Sequence, residues 1–148
     1  MTDPLKLDSM LCFAVYAAGH AFTRFYKPRL DGLGLTYPQY LVFLVLWEQD
    51  GLTVKALGER LFLDSGTITP LVKRLEGRGL LRRERDKADE RLVRVFLTKE
   101  GRALRGQAEA IPLAVGSALG REREAIDSLR ESLRLLREQL DAAEPKKS

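Results

Sequence analysis

A thiol and a set of phenols are the first residues in this chain that could do chemistry. Cys12 is the only cysteine, and all four tyrosines (Tyr16, Tyr26, Tyr37 and Tyr40) lie between positions 16 and 40. The reactive form of cysteine is its thiolate. Phenolic hydroxyls that donate hydrogen bonds to it, and the field of a helix N-terminus, lower its pKa. Cys12, Tyr16, Gly19, Thr23 and Tyr26 recur at steps of four, three, four and three, which draws one stripe along a helix. On a single straight helix Cys12 and Tyr26 are about 21 Å apart. Contact between them therefore needs two chains, with N-terminal helices crossing antiparallel. The plainer alternative is that Cys12 is inert packing. One thiol excludes an internal disulfide and a cysteine-based zinc site. The single histidine, His20, reads as a surface residue of the same helix and not as a ligand. No metal or cofactor is expected.

A second constellation is basic. Between Lys73 and Arg94 stand nine cations (Lys73, Arg74, Arg78, Arg82, Arg83, Arg85, Lys87, Arg91, Arg94) and five acids (Glu76, Glu84, Asp86, Asp89, Glu90). Nine minus five is +4, the net charge of the whole chain, so the remaining residues sum to zero. A surface that meets a polyanion concentrates charge in this way; the alternative is a solvated arginine-rich hairpin.

The rest of the chain must position these residues. At 148 residues it predicts one domain with an oligomerisation appendage. Hydrophobic and charged fractions of 45% and 31% exclude collagen-like, disordered and mucin-like classes. The longest mostly apolar run, Tyr40 to Trp47, is too short to span a bilayer. Met1-Thr2-Asp3-Pro4 opens no basic region followed by an apolar stretch, so no signal peptide and a cytoplasmic location are expected.

A first helix is predicted from Asp8 to about Lys27, with Leu11, Val15, Ala18, Phe22 and Phe25 on one face; Pro28 stops it or starts a last irregular turn. Thr36, with Gln39 at the capping-box position, opens an apolar central helix from Tyr37 to Glu48. Thr53 caps a short helix to about Leu61, and another runs from about Ser65 to Glu76, ended by Gly77-Arg78-Gly79. Leu80 to Arg85 and Leu92 to Leu97 read as strands joined by a polar hairpin loop. Thr98 caps a helix to about Ala110, and Pro112 and Gly116 to Gly120 interrupt the helical pattern. The last helix spans Arg121 to about Ala143, where Ile126, Leu129, Leu133, Leu136 and Leu140 make a heptad seam, half of an intersubunit bundle. Glu144 to Ser148 reads as a frayed basic tail.

Two short helices and a hairpin in this order make a winged helix-turn-helix. The fold class expected is mainly α with a small β-wing. The helix from Ser65 would enter a DNA major groove, presenting Ser65, Thr67 and Thr69 to phosphates or base edges and Lys73 and Arg74 to the backbone. Arg85, Lys87 and Arg91 at the wing would reach a minor groove. Alternatively Thr67 and Thr69 are merely exposed and Arg91 is tied to Asp89, and part of that is expected to hold.

The Thr53-to-Glu76 helix pair, the Asp89-Glu90-Arg91 wing and Leu97-Thr98-Lys99-Glu100-Gly101 resemble the MarR-type dimeric winged-helix repressors over nearly the whole chain. Leu7-Asp8-Ser9-Met10-Leu11-Cys12-Phe13-Ala14-Val15-Tyr16 and Gly34-Leu35-Thr36-Tyr37-Pro38-Gln39-Tyr40-Leu41 are similar to the signature stretches of its organic-hydroperoxide-sensing OhrR branch, single-cysteine type. The resemblance implies a homodimer on near-palindromic double-stranded operator DNA. It also implies that residues 8–35 and 102–143 are dimerisation helices and residues 36–98 the winged helix-turn-helix. Cys12 would be the redox-sensing residue, hydrogen-bonded by Tyr26 and Tyr37 with Tyr16 a third candidate, and organic hydroperoxide would release the operator. Some relatives carry a resolving cysteine that this chain lacks, so an external low-molecular-weight thiol would form a mixed disulfide, or sulfinic acid would follow. Gly19-His20 stands where a more polar or basic pair is expected. Alternatives are a MarR-type regulator released by a small aromatic ligand with Cys12 structural, a thiol peroxidase, and a helical adaptor without a DNA role.

Overall fold

The computed structural model describes residues 3–144; past Glu144 the expected basic tail lies outside them. Among the described residues the order is α1 (Leu11–Asp31), α2 (Tyr37–Glu48), α3 (Val54–Leu61), α4 (Ser65–Gly77), β1 (Leu81–Arg85), β2 (Val93–Leu97), α5 (Lys99–Ala108), α6 (Ala110–Leu119) and α7 (Arg123–Ala143). The chain divides between Ile111 and Pro112 into two compact units.

The first unit is built round α2. Its apolar circumference suits a helix covered on most sides, and Val42, Phe43 and Leu46 are fully buried. Leu57 of α3, Ile68, Val72 and Leu75 of α4, Leu81 of β1 and Val95 of β2 complete one core with them. The Thr36–Gln39 capping box forms in both directions, at 3.0 and 3.3 Å. Thr53 and Thr98 cap α3 and α5 through the backbone N–H groups of Ala56 and Gly101. The turn between α3 and α4 is tight: Leu63 N–H donates to the Gly58 carbonyl at 2.9 Å, and a Cβ at Gly58 would lie 2.7 Å from the Leu63 carbonyl oxygen. Phe62, in that turn, takes a left-handed φ of 57°.

β1 and β2 pair antiparallel from Leu81↔Leu97 to Arg85↔Val93. The loop after α2 is stitched to β2, since Gly51 N–H donates to the Val95 carbonyl and Val95 N–H to the Leu52 carbonyl. The hairpin is thereby fastened to the helical body at its base.

Three boundaries differ from expectation. Leu7–Ser9 is a 3-10 turn, so α1 begins at Leu11 and not at Asp8. α1 also runs through Pro28 to Asp31. The proline removes one backbone donor, while continuing the helix buries Leu30 and lets Arg29 donate to the Phe25 carbonyl at 2.8 Å. Likewise α6 runs through Pro112 and Gly116. Pro112 falls in the first turn, where a backbone N–H has no intrahelical partner to lose. The break comes instead at Gly120, which has a φ of 57°.

In the second unit α7 has no buried residue. Leu129, Leu133 and Leu140 of the heptad seam are exposed, and Ile126 and Leu136 are half-buried.

Candidate functional site

α4 buries Ile68, Leu71, Val72 and Leu75, which turns Ser65, Thr67, Lys73 and Arg74 to solvent. Thr69 is half-buried on the edge of a groove of about 880 Å³ between α3, α4 and the hairpin, whose walls include Phe62, Arg83, Arg91 and Val93. Asp64 is the N-cap of α4; its carboxylate accepts the Thr67 N–H at 2.9 Å. The sequence signal was an Asp just before a helical period.

The wing sorts its charges. Four carboxylates each hold an arginine: Glu76 with Arg83 at 3.0 Å, Glu84 with Arg82 at 2.8 Å, Asp86 with Arg94 at 2.9 Å and Asp89 with Arg91 at 3.0 Å. The Arg83 backbone N–H, then its side chain, holds the Glu76 carboxyl below the usual range. The Ala88 N–H does the same first for Asp86, and the Arg91 guanidinium first for Asp89. Arg94 also donates to the Gly51 carbonyl at 2.8 Å, so it is a strut. Arg91 is clamped by both carboxylate oxygens of Asp89, as expected, yet stays exposed.

Lys73, Arg74, Arg78, Arg85 and Lys87 have no carboxylate partner among the described residues, and Glu90 has no cation partner among them. Five minus one leaves +4, the entire excess charge of the chain. Arg85 is oriented by the Glu90 carbonyl at 2.9 Å without losing charge. Within the stretch from Lys73 to Arg94 the unneutralised cations thus lie on α4, at its C-terminal end and on the wing.

The phenols gather elsewhere in the same unit. Tyr26 of α1 and Tyr37 of α2 are 5.1 Å apart by ring centroid, and Tyr40 completes the cluster at 5.7 and 6.4 Å from them. Tyr40, fully buried, was named in no role by the sequence reading; its place one helical turn after Tyr37 was the available signal. Burial pushes the Tyr26 phenol up to about 12, with Tyr40 and Tyr37 adding to it, and burial also raises Tyr37 and Tyr40. All three therefore remain protonated at neutral pH and available as donors.

Tyr16 stands apart from this cluster. It is 63% exposed and packs on the His20 ring at 4.3 Å. Cys12 is an exposed free thiol in the first turn of α1, and among the described residues no hydrogen bond reaches its sulfur. Being on the same helix as Tyr26, it is about 21 Å away. Around it the expected apolar stripe is uncovered: Leu11 is 62% exposed, and Val15 and Phe22 are exposed as well. Among the described residues no cluster of His, Cys, Asp or Glu could hold a metal ion, and no helix is long and apolar enough to cross a membrane.

The family profile described as transcriptional regulator SarA/Rot matches residues 24–106, a span that holds α2 to β2 complete. The chain belongs to this family of MarR-type winged-helix transcriptional regulators. The regulator is 55% identical to the HTH-type transcriptional regulator TtmR of Methylorubrum extorquens over 95% of its own length and 72% of that protein. It is 47% identical to the organic hydroperoxide resistance transcriptional regulator of Bacillus subtilis, covering 87% of this chain and 86% of the relative. Reduced AbfR bound to DNA superposes with a TM-score of 0.78 at 35% identity, over 90% of this chain and 94% of that one. The overoxidised form of AbfR on DNA gives 0.75 at the same identity and coverage. Two of these relatives are named transcriptional regulators and the third was solved on DNA, the role of a DNA-binding regulator and not of the peroxidase or adaptor alternatives.

Proposed function

We propose that this regulator represses by binding operator DNA in the cytoplasm as a homodimer and lets go when organic hydroperoxide oxidises Cys12. The observation that carries the proposal is the exposed thiol at one end of the uncovered α1 stripe, with the phenol cluster at the other. A second copy laid antiparallel along that stripe brings Cys12 toward Tyr26 and Tyr37 of the partner subunit, with Tyr16 the next phenol on the way. Residues 8–35 and 102–143 supply the dimerisation helices and residues 36–98 the DNA-binding region. The name of the Bacillus relative and the solved redox states of AbfR support the same chemistry.

On DNA, α4 lies in the major groove with Ser65, Thr67 and Thr69 toward phosphates and base edges and Lys73 and Arg74 against the backbone. Arg85, Lys87 and the clamped Arg91 approach the neighbouring minor groove, and the strand between the two crosses the groove beside Thr69. On exposure to hydroperoxide, the Cys12 thiolate attacks the outer peroxide oxygen. The O–O bond breaks, the alkoxide takes up a proton and leaves as alcohol, and the sulfur becomes a sulfenic acid. A low-molecular-weight thiol condenses with it, releasing water and leaving a mixed disulfide. The adduct does not fit between the helices, α1 repacks, and the two α4 helices leave their spacing of about one DNA turn, roughly 34 Å.

Operator gel shifts with cumene hydroperoxide test this. The parent protein releases DNA and Cys12→Ser does not; release by the serine variant refutes the redox role. A cavity of about 230 Å³ between Thr23, Lys27, Leu30, Leu35 and Tyr37 favours a second reading, in which a small aromatic ligand lodged beside the phenols releases the operator and Cys12 is structural. Displacement of the operator by an aromatic carboxylate while Cys12 stays a free thiol would decide for it.

A further inference from the structure

Three parts of the first unit meet at one carbonyl. Gly34, in the loop between α1 and α2, accepts a hydrogen bond from Nη1 of Arg78, a residue 44 positions away that caps the C-terminal end of α4. The loop is held on the α1 side by Leu35 N–H donating to the Leu30 carbonyl at 3.1 Å, and Leu30 is buried in the core. On the α2 side Thr36 carries the capping box, and Tyr37 is the first residue of the helix. Gly34 has a φ of +68°, a left-handed conformation that favours glycine, and the Arg78 guanidinium lies close over it, Nη2 only 2.7 Å from where a Cβ would stand. The α4 end is equally firm: Gly79 N–H donates to the Glu76 carbonyl and Leu80 N–H to that of Leu75.

We infer that Arg78 is a positioning residue that couples the loop leading into Tyr37 to the DNA-reading helix, so that a rearrangement at Tyr37 is passed to α4 through its guanidinium. The inference rests on the redox reading above. The physical ground is that the Arg78 side chain ends on a backbone carbonyl and has no carboxylate partner among the described residues, while both elements it joins are fixed by their own backbone bonds. Displacing the loop therefore either pulls α4 or breaks one charge-assisted hydrogen bond.

Arg78→Met keeps the aliphatic stem and removes the donors. Operator affinity is measured for reduced and cumene-hydroperoxide-treated protein, in parent and variant, over a range of salt. Whatever loss the missing charge brings to both states alike, the affinity lost on oxidation should shrink about fivefold or more in the variant. Arg78→Lys, which retains a donor, should restore part of the difference. A merely structural Arg78 would weaken both states in proportion and leave their ratio unmoved, which overturns the inference. A fall of about 0.9 in the log–log salt slope in both states, with their ratio unmoved, marks Arg78 as a phosphate contact alone and overturns it too. Parent protein with no oxidation-linked loss at all refutes the redox reading itself, and the coupling with it; a full loss retained by Arg78→Met overturns the coupling alone.

Discussion

Replacing Gly101 by alanine should destabilise the fold by about 2–3 kcal/mol, although glycine-to-alanine changes in helices usually stabilise. Gly101 is the third residue of α5, and a Cβ there would lie 2.2 Å from the Leu80 carbonyl oxygen and 3.3 Å from the Phe43 ring. Ordinary contact begins at 3.4 Å, so α5 must withdraw by about 1.2 Å from a strand end to which it is bonded. Forced overpacking of this kind costs roughly 1–3 kcal/mol. The withdrawal also strains the Thr98 N–H bond to the Leu80 carbonyl and the Trp47 Nε1 bond to the Gly101 carbonyl, each worth about 1 kcal/mol. Alanine returns at most about 1 kcal/mol of helix propensity. Gly106, on the same helix with nothing within 4 Å of a Cβ, is the internal control, and Gly106→Ala should gain about 0.5–1 kcal/mol. Urea unfolding of the two variants and the parent, at one protomer concentration, separates them. Equal effects of the two substitutions, or a Gly101→Ala cost below about 0.5 kcal/mol, would refute the close-approach argument.

Further outcomes concern the phenols and the DNA surface. On alkaline titration at 295 nm the last phenolate should appear near pH 12 and be missing in Tyr26→Phe. The folded pKa is raised above the ordinary 10, so the unfolded chain loses this proton first and stability falls with pH between about 10 and 12; the fall should be shallower in Tyr26→Phe, and an unchanged slope would contradict the assignment. Arg91→Ala should weaken operator and random DNA alike and lower the salt slope, whereas Thr69→Ala should alter sequence preference; equal losses on all sequences for both would end that division of labour. Asp86→Asn adds positive charge yet should lower operator affinity, because it loosens Arg94, the strut between wing and Gly51; tighter binding in fluorescence anisotropy would show that charge alone governs the wing.

Much of the fold was legible where a local rule and the core agreed. Thr36, Thr53 and Thr98 announced their caps, and the apolar Tyr37–Glu48 stretch announced a central helix. Pro28 and Pro112 misled because proline punctuation is a local rule: at Pro28 burial of Leu30 outweighs one lost bond, and at Pro112 there was no bond to lose. At the candidate site, residue types were readable and pairings were not. Nothing local says that Arg94 braces Gly51 while Arg85 keeps its charge, because those partners are 43 and 5 positions away and are chosen by the hairpin register. The Arg78–Gly34 contact was likewise invisible until α1, α2 and α4 were packed together.

The most direct test follows the fate of one sulfur and one operator in the same tube. Samples treated with graded cumene hydroperoxide and a small thiol are split between intact-mass spectrometry and operator-binding anisotropy. The fraction of chains carrying a single thiol adduct on Cys12 should track the fraction of operator released. Operator released from protein whose Cys12 is unmodified, or operator still held by protein fully converted to the adduct, would contradict a switch built on that thiol.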